Sequence, residues 1–257
     1  MTDAVNQNKW FAYFRPNPAA RLRLFCFPYA GGSAAIFRTW PNNLPAMIEV
    51  RPVELPGRGA RLKEPPFTHF PSLVQATAEA LVTVLDQPFA FFGHSMGALI
   101  GFELIRYFRK NQIKTPVHLF VSGHTAPHIL SKHRPIHNLP ENEFIEELRQ
   151  LNGTPEAVLQ NQELMQLLIP ILRADFAINE TYRCQNDAPL ACPMTVFGGC
   201  QDRDVTQDTL EAWREHTTGA FSLHLFEGDH FFLQRNEKEI LQTIVNDLRP
   251  YLGVRSI

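Results

Sequence analysis

Phe89-Ala90-Phe91-Phe92-Gly93-His94-Ser95-Met96-Gly97-Ala98 runs from four apolar residues through a Gly-x-Ser-x-Gly pentad into a segment, ending at Arg109, that is apolar at helical spacing. Small residues at both ends of the pentad let the chain turn sharply and push the serine side chain out at the strand tip. A helix beginning there offers free N–H groups and a dipole that favour negative charge. The five letters occur often by chance. A buried strand before them and a helix after them are what make Ser95 the expected nucleophile.

Outward from this unit, short runs rich in Phe and Val alternate with helix-like segments. The expected strands are Leu22–Phe27, Val50–Leu55, Phe89–Phe92, Val117–Ser122, Met194–Phe197 and Phe221–Phe226. The expected helices are Phe70–Leu85, Met96–Arg109, Thr206–His216 and Glu237–Tyr251. Apolar strands separated by amphipathic helices form a mainly parallel sheet covered on both faces, so the fold class is α/β.

The alternation breaks after Ser122, and no further strand is expected until Met194. In the gap, Pro140-Glu141-Asn142-Glu143 leads into a helix over Phe144–Leu151, with Gly153 as its stop. Thr154-Pro155-Glu156 then supplies an N-cap, a proline at the first helical position and an early acid. Beyond it, Leu164, Leu167, Leu168, Ile171, Leu172, Asp175 and Phe176 recur at helical spacing. This insertion, residues 138–190 or so, reads as a hairpin packed on the core or as a lid, since such sheets bind ligands at the carboxyl ends of their strands. Asp175 on the apolar stripe favours a role in lining a site.

A serine hydroxyl needs a base, and on this kind of sheet the chain order is Ser, acid, His. Asp202 stands in Gly198-Gly199-Cys200-Gln201-Asp202-Arg203-Asp204-Val205, just after one expected strand. His230 stands in Glu227-Gly228-Asp229-His230-Phe231-Phe232, just after the next. Both loops leave the carboxyl ends of parallel strands, so Ser95, Asp202 and His230 can meet on one rim. Asp204 is the rival acid, and the Gly-x-x-Asp spacing from Gly199 favours Asp202. Asp229 reads as a solvated turn residue. Among the other histidines, His94 is expected to make a structural hydrogen bond, and His118 and His224 lie within strands. His124, His128, His133 and His137 flank the insertion as surface residues. A developing oxyanion needs two N–H donors. Met96 should give one, and Phe27-Pro28-Tyr29-Ala30-Gly31-Gly32-Ser33 the other, through Ala30 or its neighbour Gly31.

Composition excludes several other classes. The chain has 257 residues, 44% of them hydrophobic, enough for a large core in a single domain spanning 1–257. Its 24 basic and 26 acidic residues leave a net charge of −2, so no basic field invites nucleic acid or an acidic membrane. No apolar run approaches the roughly 20 residues that span a bilayer. Met1–Trp10 is polar and lacks the core of a signal peptide, which gives a cytoplasmic expectation. Four cysteines are too few for a disulfide scaffold. Cys26 reads as a small buried hydrophobe, and Cys184, Cys192 and Cys200 are spaced too widely for the usual zinc pairs. With no His-Glu-x-x-His and no Gly-x-Gly-x-x-Gly, neither a metal nor a nicotinamide is expected.

Further blocks carry a family resemblance. Arg23-Leu24-Phe25-Cys26-Phe27-Pro28-Tyr29-Ala30-Gly31-Gly32, Glu54-Leu55-Pro56-Gly57-Arg58-Gly59 and Leu172-Arg173-Ala174-Asp175-Phe176 stand beside the serine pentad and Gly228-Asp229-His230-Phe231-Phe232-Leu233. In this order, from about Trp10 to Tyr251, the chain resembles the type II thioesterases of nonribosomal peptide and polyketide synthesis. The resemblance implies an α/β-hydrolase that removes stalled or wrong acyl groups from the phosphopantetheine arm of carrier proteins. It sets Ser95, Asp202 and His230 on the family's triad and the insertion on its mobile lid, with phosphopantetheine belonging to the substrate rather than to a cofactor site. Where the family commonly has Gly-Gly before the histidine, this chain has Gly228-Asp229, which leaves the pH optimum open. Carrier proteins of these systems are typically acidic, so Arg58, Arg61 and Lys63 are expected either to dock them or to form a solvated charged loop. A monomer suffices. The competing readings are a medium-chain thioesterase of a fatty acid synthase, a general carboxylesterase, and a non-catalytic subunit that binds carrier proteins.

Overall fold

The computed structural model describes residues 9–11, 13, 16–131 and 133–253. Met1–Asn8 of the polar amino-terminal segment, and both ends of the expected 1–257 domain, lie outside the described residues. Six parallel strands form one sheet: β1 (Leu22–Phe27), β2 (Ile48–Pro52), β3 (Phe89–His94), β4 (His118–Ser122), β5 (Met194–Gly199) and β6 (Phe221–Phe226), in the order β2-β1-β3-β4-β5-β6. The helices are α1 (Trp40–Asn43), α2 (Phe70–Val82), α3 (Met96–Lys110), α4 (Glu141–Gln150), α5 (Glu156–Leu159), α6 (Gln162–Thr181), α7 (Gln207–Glu211), α8 (Phe232–Arg235) and α9 (Glu237–Leu248).

The strands are apolar without interruption because both sheet faces are covered, and their two-residue period sorts side chains between two cores. Phe25, Phe27, Phe89, Phe91, Leu119 and Val121 pack under α2 and α3. Leu24, Cys26, Ala90, Phe92, Phe120 and Phe197 pack on the other face against Trp40 and α9. Register keeps the faces in phase, with Phe92 opposite both Cys26 and Phe120. The chain lays down β1, steps out to β2, and returns past β1 to β3. Such a reversal opens a crevice at the carboxyl ends of β1 and β3, where ligands of these sheets bind.

The strand expected at Val50–Leu55 is instead Ile48–Pro52. Glu49, which the expected bounds leave out, looks too polar for a buried strand, but its Oε1 accepts from Arg51 Nε at 2.7 Å and from Arg23 Nε at 2.9 Å. Charges that satisfy one another in this way can stay inside. The helix expected over Thr206–His216 is α-helical only to Glu211 and tightens to a 3₁₀ turn over Ala212–His216. The last helix likewise stops at Leu248, before a 3₁₀ turn that holds Pro250, which has no N–H to continue the ladder.

The insertion follows β4 and carries α4, α5 and α6 over a small apolar core of its own, including Ile136, Phe144, Leu148, Met165, Ile169 and Leu172. Pro155 occupies the cap of α5 rather than the first helical position expected of it. α6 begins at Asn161, whose Oδ1 accepts from the Leu164 N–H at 3.1 Å. Among the described residues no helix is long and apolar enough to cross a membrane.

Candidate active site

Ser95 stands between β3 and α3 with φ 53° and ψ −120°, a left-handed conformation that few residues with a Cβ adopt. Its neighbours enforce it. A Cβ on Gly93 would lie 2.1 Å from Gly97 O, and one on Gly97 would lie 2.2 Å from Phe27 O, so both glycines are required by close backbone approach. The Ser95 N–H donates to Ser122 O at 2.7 Å, which ties the turn to the end of β4. The serine side chain is left half-buried at the rim.

Two loops reach it from β5 and β6. His230 Nε2 lies 3.0 Å from Ser95 Oγ, and His230 Nδ1 lies 2.7 Å from Asp202 Oδ2. The Asp202 side chain is 3% exposed and that of His230 29%. The other Asp202 oxygen accepts from the Asp204 and Val205 N–H groups at 3.0 and 3.1 Å. Burial alone would raise the Asp202 carboxyl, but its hydrogen bond to His230, the imidazole's charge and these two amides outweigh burial and hold it below the usual carboxylate range. An ionised Asp202 can only accept, so His230 carries its proton on Nδ1, and in the neutral imidazole that leaves the Nε2 lone pair toward the serine hydroxyl. The rival acid, Asp204, is exposed and turned to His133 Nε2, 2.9 Å away. Asp229 is exposed as well, and its Oδ1 accepts from the Phe231 N–H at 2.9 Å.

His94 makes the structural bond expected of it, Nδ1 to Ser122 Oγ at 2.9 Å. Burial, and next the charge of nearby His230, push it down to about 3, so it is neutral. His124 departs from the surface role expected. It is half-buried, with Nδ1 2.7 Å from Thr125 O and Nε2 3.3 Å from Asn179 Oδ1, because the insertion folds back over it. His137 is also half-buried, 2.5 Å from Glu180 Oε2. His124 and His128, like His133 and His137, stand four apart, but on non-helical segments and with separate partners. Among the described residues no three His, Cys, Asp or Glu side chains converge as a metal ion would need.

The loop after β1 completes the site. Tyr29 to Gly32 is a tight turn, with the Gly32 N–H donating to Tyr29 O at 2.9 Å and Gly31 at φ 77°. The Gly31 N–H donates to Asp175 Oδ2 at 2.7 Å. Of the two neighbours named as oxyanion donors, Gly31 is therefore occupied, and the Ala30 N–H has no acceptor among the described residues. The Met96 N–H is the first of α3 and has no intrahelical acceptor either.

Asp175 is 2% exposed, gripped by Arg58 through Nη1 at 2.7 Å and Nη2 at 2.8 Å, so it lines no open site. Arg58 and Arg61 were expected to face solvent or a partner, and the structure corrects this. They are only 5% and 6% exposed. Arg61 donates to Glu64 at 2.7 Å and to Glu54 O at 3.0 Å, and stacks on Trp10. Lys63 alone of the three is exposed. Sequence reasoning missed the Arg58–Asp175 pair and the part of Ser122, which holds both Ser95 and His94. The place of Ser122 at a strand's carboxyl end was the available signal.

A parallel sheet that brings Ser, His and Asp together at its strand ends defines the α/β-hydrolase class. The chain belongs to the thioesterase family, whose thioesterase domain matches residues 22–248, and it is a hydrolase of thioester bonds. It is 49% identical to the gramicidin S biosynthesis protein GrsT of Aneurinibacillus migulanus, over 98% of this chain and 99% of that one. Among solved structures it is similar to RedJ, a thioesterase of the prodiginine pathway in Streptomyces coelicolor (TM-score 0.84, 39% identity, 90% of this chain and 92% of that one). It is also similar to BorB, a type II thioesterase of the borrelidin cluster (TM-score 0.85, 37% identity, 94% and 98%).

Proposed function

We propose that this protein is a type II thioesterase that clears stalled or wrong acyl groups from the phosphopantetheine arm of carrier proteins in nonribosomal peptide or polyketide synthesis. The unbroken relay from Ser95 Oγ through His230 to buried Asp202 carries the hydrolytic mechanism, and the 49% identity to GrsT over nearly the whole of both chains supports the carrier-bound substrate. His230 Nε2 takes the hydroxyl proton as Oγ attacks the thioester carbonyl, and Asp202 fixes the tautomer and stabilises the imidazolium. The Met96 and Ala30 N–H groups hold the oxyanion. Collapse breaks the C–S bond, the departing thiol takes the proton from His230, and an acyl-Ser95 ester remains. Water, deprotonated by His230, then adds to that ester; as the acyl C–O bond breaks, His230 returns the proton to Ser95 Oγ and a carboxylic acid leaves. The phosphopantetheine arrives and leaves with the substrate, and no metal or bound cofactor takes part. In this reading residues 138–190 form a lid on a single domain that works as a cytoplasmic monomer, apart from nucleic acid and membrane.

The test compares wild type and Ser95→Ala on acetyl-carrier protein, acetyl-coenzyme A and an oxygen ester. The carrier thioester should be cleaved fastest, and Ser95→Ala should lower that turnover by about 10⁶-fold if the three residues act as a unit. Near-normal hydrolysis by Ser95→Ala would sink the mechanism. Preference for the oxygen ester would sink the carrier function while leaving the triad. A narrow optimum for medium fatty chains would reassign the enzyme to fatty acid synthesis.

A further inference from the structure

α6 of the insertion does not merely lie over the loop that carries Ala30; it is bonded into it. Asp175, on α6, accepts the Gly31 N–H at 2.7 Å, and Arg58, held by the same carboxylate, donates to Gly32 O at 3.0 Å. Leu172, one turn earlier on α6, presses on Gly31 so closely that a Cβ there would lie 2.5 Å from its Cδ2. Positive φ at the third residue of the Tyr29–Gly32 turn is the mark of a type II turn. Such a turn differs from type I by a flip of its central peptide, here Ala30–Gly31. The flip would replace the Gly31 N–H facing Asp175 with the Ala30 carbonyl oxygen, which a carboxylate repels; the turn would then lose its bond to α6, although the direction of the Ala30 N–H within the turn would not change. The Ala30 N–H itself belongs to the Tyr29–Ala30 peptide, whose oxygen is tied to the Gly32 N–H. In a trans peptide it therefore points away from the turn, with no acceptor for it among the described residues.

We propose that Asp175 is the positioning residue of the oxyanion loop: through the Gly31 N–H and, by way of Arg58, Gly32 O, it anchors in place the turn that carries the Ala30 N–H, so the hole is complete only while α6 is seated. This rests on the reading of Ser95 as nucleophile and Ala30 as donor. It makes catalysis conditional on the insertion being closed, through one hydrogen bond rather than through shielding alone.

Three variants separate positioning from packing. Asp175→Asn and Asp175→Ser leave Arg58 equally without its counter-ion, but only asparagine can still bring an oxygen to the Gly31 N–H. Arg58→Met/Asp175→Leu removes both charges and refills the space, a replacement that buried ion pairs often tolerate. The readouts are kcat and KM on hexanoyl-coenzyme A, and the affinity of hexylboronic acid, whose tetrahedral Ser95 adduct occupies the hole. The double variant and Asp175→Ser should lose about 10²-fold in kcat, the scale of one oxyanion donor, with boronate affinity falling in step and KM little changed. Asp175→Asn should keep most of both. Wild-type kcat in the double variant, equal kcat in Asp175→Asn and Asp175→Ser, or a fall in kcat with boronate affinity intact would each overturn the proposal. Wild type and Ser95→Ala serve as controls: turnover or boronate binding that survives Ser95→Ala overturns the nucleophile assignment instead.

Discussion

Asp202 and Asp204 stand two residues apart on one loop and have opposite surroundings, which makes them a clean pair to compare. Asp202 is buried against His230 and two amides, and Asp204 faces solvent and His133. Asp202→Asn removes the acceptor that fixes the His230 tautomer and should lower kcat by about 10⁴-fold, whereas Asp204→Asn should leave kcat within about two-fold. His94 gives a prediction about acid. Its folded-state value, about 3, lies below the ordinary 6.5, so the unfolded chain takes up the proton first as pH falls. The stability tied to neutral His94 is complete above 6.5 and is lost progressively down to about 3. Urea titrations between pH 6 and 4 should show stability falling by about 1.4 kcal/mol per pH unit from this residue, and His94→Gln should remove that share of the slope.

At the scale of elements, the turn after β3 is rigid because backbone approaches backbone. Gly97→Ala would place a Cβ against Phe27 O and Pro28 O, which cannot move aside, and should lower unfolding free energy by about 1–3 kcal/mol in denaturant titrations. Gly101, one turn further along α3, would bring its Cβ closest to the Leu119 Cδ1 tip at 3.2 Å, with only side-chain atoms nearby, and Gly101→Ala should be tolerated far better. Elements of this kind were legible in the sequence. β1, β3 and the serine turn are continuous in the chain and speak through local pattern alone. β2 was misplaced because the pairing of Glu49 with Arg23 of β1 cannot be seen from within its own five residues. The order Ser95, Asp202, His230 was readable because each follows a strand. The choice between Ala30 and Gly31 was not, since their N–H groups are alike until Asp175, 144 residues away, takes one of them. The same distance blindness made Arg58, whose partner Asp175 is 117 residues away, look like surface charge.

For the whole molecule, the insertion and the segment that leads into it bridge the loops of the site. Asp175 meets the turn after β1, His133 meets Asp204 after β5, and Asn152 Nδ2 reaches Asp229 after β6 at 3.4 Å. Gly153 lies so close over Phe231 that a Cβ would stand 2.7 Å from its ring. The three residues of the relay are nonetheless unequally anchored. Ser95 and Asp202 follow strands with a neighbour on each side, whereas His230 follows β6, which ends the sheet order and is nowhere fully buried. Strands paired along one edge open at lower free energy than the centre of a sheet. Amides of β6 should therefore exchange with deuterium before those of β3, and thioester cleavage should fade on gentle warming while helical circular dichroism is still intact. The enzyme would then wear out from its margin inward, silenced reversibly by the fraying of one strand well before the protein melts.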